Sequence, residues 1–169
     1  SSNTTADNNV AVGRIALQSN STGTQNVSVG NYSSDANTTG GNNTALGHAA
    51  LSSNTTASSN TAIGMQALNA NTTGALNTAL GANALLSSVD GTRLTAVGYG
   101  ALDAVTTASF STAFGYNAGS NVTGVENICI GGQAGANITS GTYNIAIGNY
   151  AGGYQNSHTG QRNISIGYQ

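Results

Sequence analysis

Proline and tryptophan are absent from this 169-residue chain, charged residues make up 5 % of it, aromatics another 5 %, and there is one cysteine. Each shortage excludes something. The only cations, Arg14, Arg93 and Arg162, are far apart with no lysine beside them. A surface that tracks phosphates needs clustered cations to release counterions, so nucleic-acid binding is not expected. No stretch approaches the roughly 18–20 uninterrupted apolar residues of a membrane span. A lone Cys129 supports neither a disulfide framework nor a cysteine zinc site. No secretory signal is visible and the first residue is not Met, as expected of a processed chain or a piece of a longer one.

Low charge with abundant Asn, Thr, Ser and Gly is a composition that disordered tracts also have. Disorder, however, usually combines low hydrophobicity with high net charge. Here 38 % of residues are hydrophobic and the net charge is −2, so the order of residues decides. It is repetitive. The tract Asn9-Val10-Ala11-Val12-Gly13 returns from Asn26, Asn43, Asn60, Asn77, Leu94, Ser111, Asn127, Asn144 and Asn163, with spacings of 17 six times and then 16, 17 and 19.

Numbered from that first residue, column four is always bulky and apolar, from Val12 through Ile63 and Phe114 to Ile166, and column five is always Gly. Column three is Ala, Ser or Cys, which makes Cys129 a small residue in a small slot. Column eight is Ala, with Ser33 the exception. A second small residue such as Gly23, Ala57 or Gly74 closes the unit, usually after a hydroxyl residue.

A unit of 17 residues is too short for a helical hairpin, which needs about 34. The tract before the column-five Gly alternates β-branched and small residues and reads as a short strand. The Gly turns the chain, and an Asn-Thr-Thr-Gly type of segment supplies a second turn. Two short strands and two turns would make one coil, and stacked coils would pair in parallel. The fold class expected is all-β: a parallel β-solenoid of about ten coils, roughly 45 Å long at the usual strand spacing. Residues 1–8 read as a leader or incomplete cap, and 9–169 as one repetitive domain.

Strand parity places columns two and four on one side and column three on the other. With column four taken as interior, Val10, Val27, the Thr44–Thr112 row, Ile128, Ile145 and Ile164 follow it inward. The Ala/Ser column then faces out, as a surface for close approach of another chain. On that assignment Ile63→Asp disrupts the fold and Asn71→Asp, in a turn, is tolerated. The recurrent Asn of column one suggests an amide ladder. Column nine changes from Leu (Leu17, Leu51, Leu68, Leu85, Leu102) to Gly (Gly119, Gly135, Gly152) while column two changes from Thr to Ile and column four gains Phe114. This reads as volume compensation inside one continuous solenoid.

The Asn-x-Ala/Ser-Ile/Val-Gly-x-x-Ala core resembles the head repeat of YadA-like trimeric autotransporter adhesins, which form left-handed parallel β-rolls. The longer unit, Asn60-Thr61-Ala62-Ile63-Gly64-Met65-Gln66-Ala67-Leu68 with Asn71-Thr72-Thr73-Gly74, resembles repeats in phage tail fibres. The resemblance covers nearly the whole chain from Asn9. It implies a trimeric fibre or adhesin on a virion or bacterial surface, from which a terminal chaperone is in some cases cleaved after assembly.

No catalytic, cofactor or metal residues are expected. His48 and His158 occupy dissimilar repeat positions, and Asp7, Asp35, Asp90, Asp103 and Glu126 are scattered. There is no Gly-x-Ser-x-Gly elbow, and Gly98-Tyr99-Gly100 is not followed by a helix pattern. Asn-x-Ser/Thr triplets at Asn20, Asn26, Asn37, Asn54, Asn71 and Asn121 follow from the turn composition. Tyr99, Tyr116, Tyr143, Tyr150, Tyr154 and Tyr168 concentrate in the C-terminal half and suit either turn covering or sugar stacking.

The expected function is therefore a structural or adhesive extracellular fibre module that self-associates as a homotrimer, with a cell-surface glycan or receptor as outside partner. A second class is a filament subunit stacking head to tail, because neither end of the array, which stops at Gln169, looks capped. A third, ice or glycan binding, requires the row Thr44, Thr61, Thr78, Thr95 and Thr112 to face water.

Overall fold

In every repeat the three residues ahead of the column-five glycine form a strand. The computed structural model describes residues 5–152 and 159–168. Within them the strands are β1 (Val10–Val12), β2 (Val27–Val29), β3 (Thr44–Leu46), β4 (Thr61–Ile63), β5 (Thr78–Leu80), β6 (Thr95–Val97), β7 (Thr112–Phe114), β8 (Ile128–Ile130), β9 (Ile145–Ile147) and β10 (Ile164–Ile166). They form one parallel sheet in sequence order. The register is strictly column on column: Thr61 pairs with Thr78, Ala62 with Ala79, Ile63 with Leu80. The chain is a β-solenoid with one coil per repeat.

Each coil has one strand, where the sequence suggested two. The far side of the coil is hydrogen-bonded to its neighbours without being extended. In the fourth coil Gln66 (φ 57°) and Leu68 (φ 51°) are left-handed. This alternation turns successive N–H groups in opposite directions along the rod. Gln66 N–H donates back to the His48 carbonyl at 2.9 Å, and Leu68 N–H donates forward to Ala84 at 3.0 Å. Left-handed backbone is costly for a residue with a Cβ, but each such residue here gains coil-to-coil bonds that buried backbone requires.

The sheet is turned the opposite way from the sequence expectation. Ala45, Ala62, Ala79, Ala96, Ala113, Cys129 and Ala146, all column three, are fully buried. Columns two and four point outward: Leu46 is 43 % exposed and Phe114 58 %. The reason is thickness. Leu51, Leu68, Leu85 and Leu102 enter from the opposite wall and are also fully buried. The gap left between the walls admits a methyl, hydroxyl or thiol from the sheet side and nothing larger, because interiors are close-packed.

Asparagine supplies the rest of the interior. Asn60 of column one donates from Nδ2 to the Gly74 carbonyl at 2.9 Å, and its backbone N–H donates to Asn43 Oδ1 at 3.0 Å. The amide ladder expected of this column therefore runs mainly through the backbone, with direct amide-to-amide bonds at its end, from Asn144 Nδ2 to Asn127 Oδ1 at 3.1 Å and from Asn163 Nδ2 to Asn144 Oδ1 at 3.0 Å. A second Asn column lies in the turn that sequence reading treated as solvent-facing. Asn20, Asn37, Asn54 and Asn71 are buried, and Asn54 Nδ2 donates both to Asn37 Oδ1 at 2.7 Å and to Ala57 O at 3.1 Å.

Volume compensation occurs at other residues than the outward Ile and Phe. The second Asn column is Val105 one coil before column nine becomes Gly, and Val122 and Ile138 in the first coils where it is Gly, all three buried. A Cβ on Gly119 would lie 3.3 Å from both Cys129 Sγ and Val122 Cγ2, and one on Gly135 would collide with Cys129 Sγ. Cys129 and the Val/Ile column thus fill space given up by leucine. Burial pushes the Cys129 thiol up to about 12, and only the thiolate reacts readily. The native protein should leave a disulfide reagent such as DTNB unconsumed at neutral pH, with one thiol appearing as the chain is unfolded. Prompt reaction in the folded state would place Cys129 elsewhere.

Candidate functional surface

With columns two and four outward, the sheet presents a continuous apolar face along the rod. Val10, Val12, Val27, Leu46, Leu80, Phe114, Ile128, Ile130, Ile147, Ile164 and Ile166 are exposed on it. Thr44, Thr61, Thr78, Thr95 and Thr112 occupy column two of the same face, half-buried except for the exposed Thr78. Sequence reasoning placed both rows inside, although the uniformly tiny column three was a signal for the true orientation.

Ring-bearing rows flank this face. On the glycine side, Tyr99 and Tyr116 sit on adjacent coils with ring centroids 5.7 Å apart and planes 14° from parallel. Beside the first strands Arg14 donates from Nη1 to Tyr32 Oη at 2.8 Å, and Tyr32 meets His48 edge-on at 5.9 Å. On the opposite margin Arg93 lies 5.2 Å over the Phe110 ring and Arg162 5.5 Å over Tyr143. With Arg14 at 5.6 Å from Tyr32, every cation of the chain rests on an aromatic ring, an attraction of electrostatic origin.

Of the other residues singled out by sequence, Asp7, Asp90 and Glu126 are exposed. Burial pushes the Asp35 and Asp103 carboxyls upward, partly offset by backbone amides. A raised carboxyl stabilises the fold less when ionised, so these two groups favour the folded state slightly more as pH falls. Among the described residues, no three His, Cys, Asp or Glu side chains gather as a metal site would need. No helix there is long and apolar enough to cross a membrane. Of the Asn-x-Ser/Thr asparagines named above, Asn20, Asn26, Asn37, Asn54 and Asn71 are buried with Nδ2 donating internally. Asn121 is exposed, its Nδ2 donating to Ala136 O at 2.8 Å. His158, Tyr154 and Gln169 lie outside the described residues. No family model, curated protein or solved structure matches the chain.

Proposed function

We propose that the chain is a non-enzymatic fibre module of an extracellular surface, a phage tail-fibre shaft or a bacterial surface adhesin, whose copies associate side by side through the outward sheet face. The supporting observation is the row of bulky apolar side chains left in water, with Phe114 at 58 % exposure. Soluble monomers rarely expose contiguous apolar patches beyond a few hundred Å² unless the patch binds something. A second copy is the partner whose ridges have the same coil-to-coil period. A parallel trimer sets Ile128, Ile130, Ile145 and Ile147 on their own equivalents, and the threonine coils likewise. The resemblance to trimeric adhesin heads and tail-fibre repeats points the same way.

The double variant Leu80→Asp with Ile130→Asp tests this. Neither side chain contributes to the coil interior, so the circular dichroism spectrum should stay that of wild type. Light scattering should report a shift from oligomer to monomer. Wild-type protein that is already a monodisperse monomer, or a variant of unchanged mass, would remove the association reading.

The outward Thr44–Thr112 row favours a second reading, ice or glycan binding, which sequence parity had opposed. Its hydroxyls repeat at about the strand spacing of 4.8 Å. Under this reading the face stays open to water, and Thr61→Val with Thr78→Val should abolish ice recrystallisation inhibition or glycan retention while leaving the circular dichroism spectrum of the coil unchanged.

A further inference from the structure

The chain has no disulfide partner for its buried cysteine, yet one pair of side chains is placed for another covalent link. Tyr99 and Tyr116 hold the same column on consecutive coils. Gly100 N–H donates to Ala82 O at 3.0 Å and Asn117 N–H to Tyr99 O at 2.8 Å, which locks the register on which the rings stand. The rings are stacked at 5.7 Å and 14°, and each is about half exposed, Tyr99 50 % and Tyr116 56 %. Their neighbours in the column are Ala82 and Gly132, too small to cover either outer ring face. An oxidant therefore reaches the pair, whose rings stand close and nearly parallel.

We infer that Tyr99 and Tyr116 form an oxidative cross-linking site, at which a peroxidase using hydrogen peroxide joins the two rings as dityrosine. Each phenol loses one electron and one proton to give a tyrosyl radical. The radicals couple through the ring carbons ortho to the hydroxyls, and each ortho hydrogen then leaves as a proton while a proton returns to the phenolic oxygen, which restores both aromatic rings. In total two hydrogen atoms leave the protein and one hydrogen peroxide is reduced to two waters. The bond would tie the sixth coil to the seventh, closing a short loop of chain much as a disulfide does.

Other tyrosines are less well placed. Tyr32 is engaged by Arg14, and Tyr143 lies under Arg162. Tyr150 and Tyr168 meet edge-on at 81° with centroids 6.3 Å apart. Competing oxidation is limited because Trp is absent and Cys129 is buried. Met65 is exposed, but its sulfoxide is not fluorescent and adds oxygen instead of removing hydrogen.

The test is purified protein treated with horseradish peroxidase and hydrogen peroxide, read by dityrosine fluorescence, intact mass and denaturing gel. Wild type should gain the fluorescence and show a population lighter by two hydrogens at monomer mass on the gel. Tyr99→Phe and Tyr116→Phe should each lose about ten-fold or more of the signal, because the proximity that makes coupling intramolecular is gone. Tyr150→Phe should keep it. These three substitutions each remove one hydroxyl and keep the ring, and unchanged circular dichroism spectra would establish that they fold. No fluorescence in wild type, retention of signal in both Tyr99→Phe and Tyr116→Phe, loss in Tyr150→Phe instead, or cross-linked dimers as the main product would each overturn the assignment.

Discussion

Asn71→Asp is expected to lower the melting temperature by roughly 6–12 °C, from a cost of about 3 kcal/mol for a buried, unpaired charge. Asn71 is fully buried. Its Nδ2 donates to Asn54 Oδ1 at 3.2 Å and to Gly74 O at 3.0 Å. A carboxylate has nothing to donate, so both acceptors would face a negative oxygen instead. Desolvation would raise this carboxyl above its unfolded value of about 3.9. The charge penalty is therefore full well above the folded-state pKa. It shrinks as pH falls through that value and is gone below the unfolded one. The matching change Ile63→Asp lies on the outward face. It should leave the spectrum of the folded coil unchanged in dilute solution and act on association. Melting curves recorded at low concentration check the pair. A wild-type melt for Asn71→Asp together with collapse of Ile63→Asp would restore the inverted orientation.

Gly64→Ala should cost more than about 4 kcal/mol, enough to abolish a cooperative transition or move it far down in temperature. Its backbone sits at φ +131°, and a Cβ there would lie 2.5 Å from both the carbonyl carbon and oxygen of Gly81 and 2.9 Å from Ala82 N. These are backbone atoms of the next coil and cannot swing aside. Separating the coils to make room would lengthen the flanking Gly81 N–H bond to the Ile63 carbonyl, now 2.8 Å. Gly132→Ala is the control. Only the amide end of Asn149, with Oδ1 at 2.8 Å, stands in the way, and that end can rotate. Its expected cost is within about 1 kcal/mol, and denaturant titration of the two variants separates them.

The solenoid itself was legible in the sequence because stacking forces one residue type to recur in each column. Gly64 and its equivalents recur for the backbone collision just described, and Asn60 and its equivalents for a hydrogen bond that most coils repeat, Leu94 and Ser111 being the exceptions in the column. Orientation was harder to read. Ile63 and Leu80 look like core residues by chemistry, and parity then carries Thr61 and Thr78 inside with them. The width of the coil decides against this, and it is set by Leu68 and Leu85 arriving from a wall that is not a strand. That wall alternates left- and right-handed residues, a geometry with no period-two signature, so its inward side chains could not be deduced by alternation. Asn71 was misread for a related reason. An Asn-Thr-Thr-Gly segment has the composition of an exposed turn, and only the coil above and below reveals that its amide is enclosed. The apolar face became visible once the orientation was known.

The hydrogen bonds between coils, such as Leu68 N–H to Ala84 O and Gly81 N–H to Ile63 O, run along the rod from one coil to the next. Tension applied to the two ends of the chain therefore loads the terminal coils first and opens their bonds one after another, as a zipper does. Each coil that peels away releases 17 residues, on the order of 50 Å of slack, and passes the same load to the next. A single molecule stretched this way should yield in regular small steps at nearly constant force. It would act as a shock absorber that lengthens coil by coil and can rewind on the template left behind.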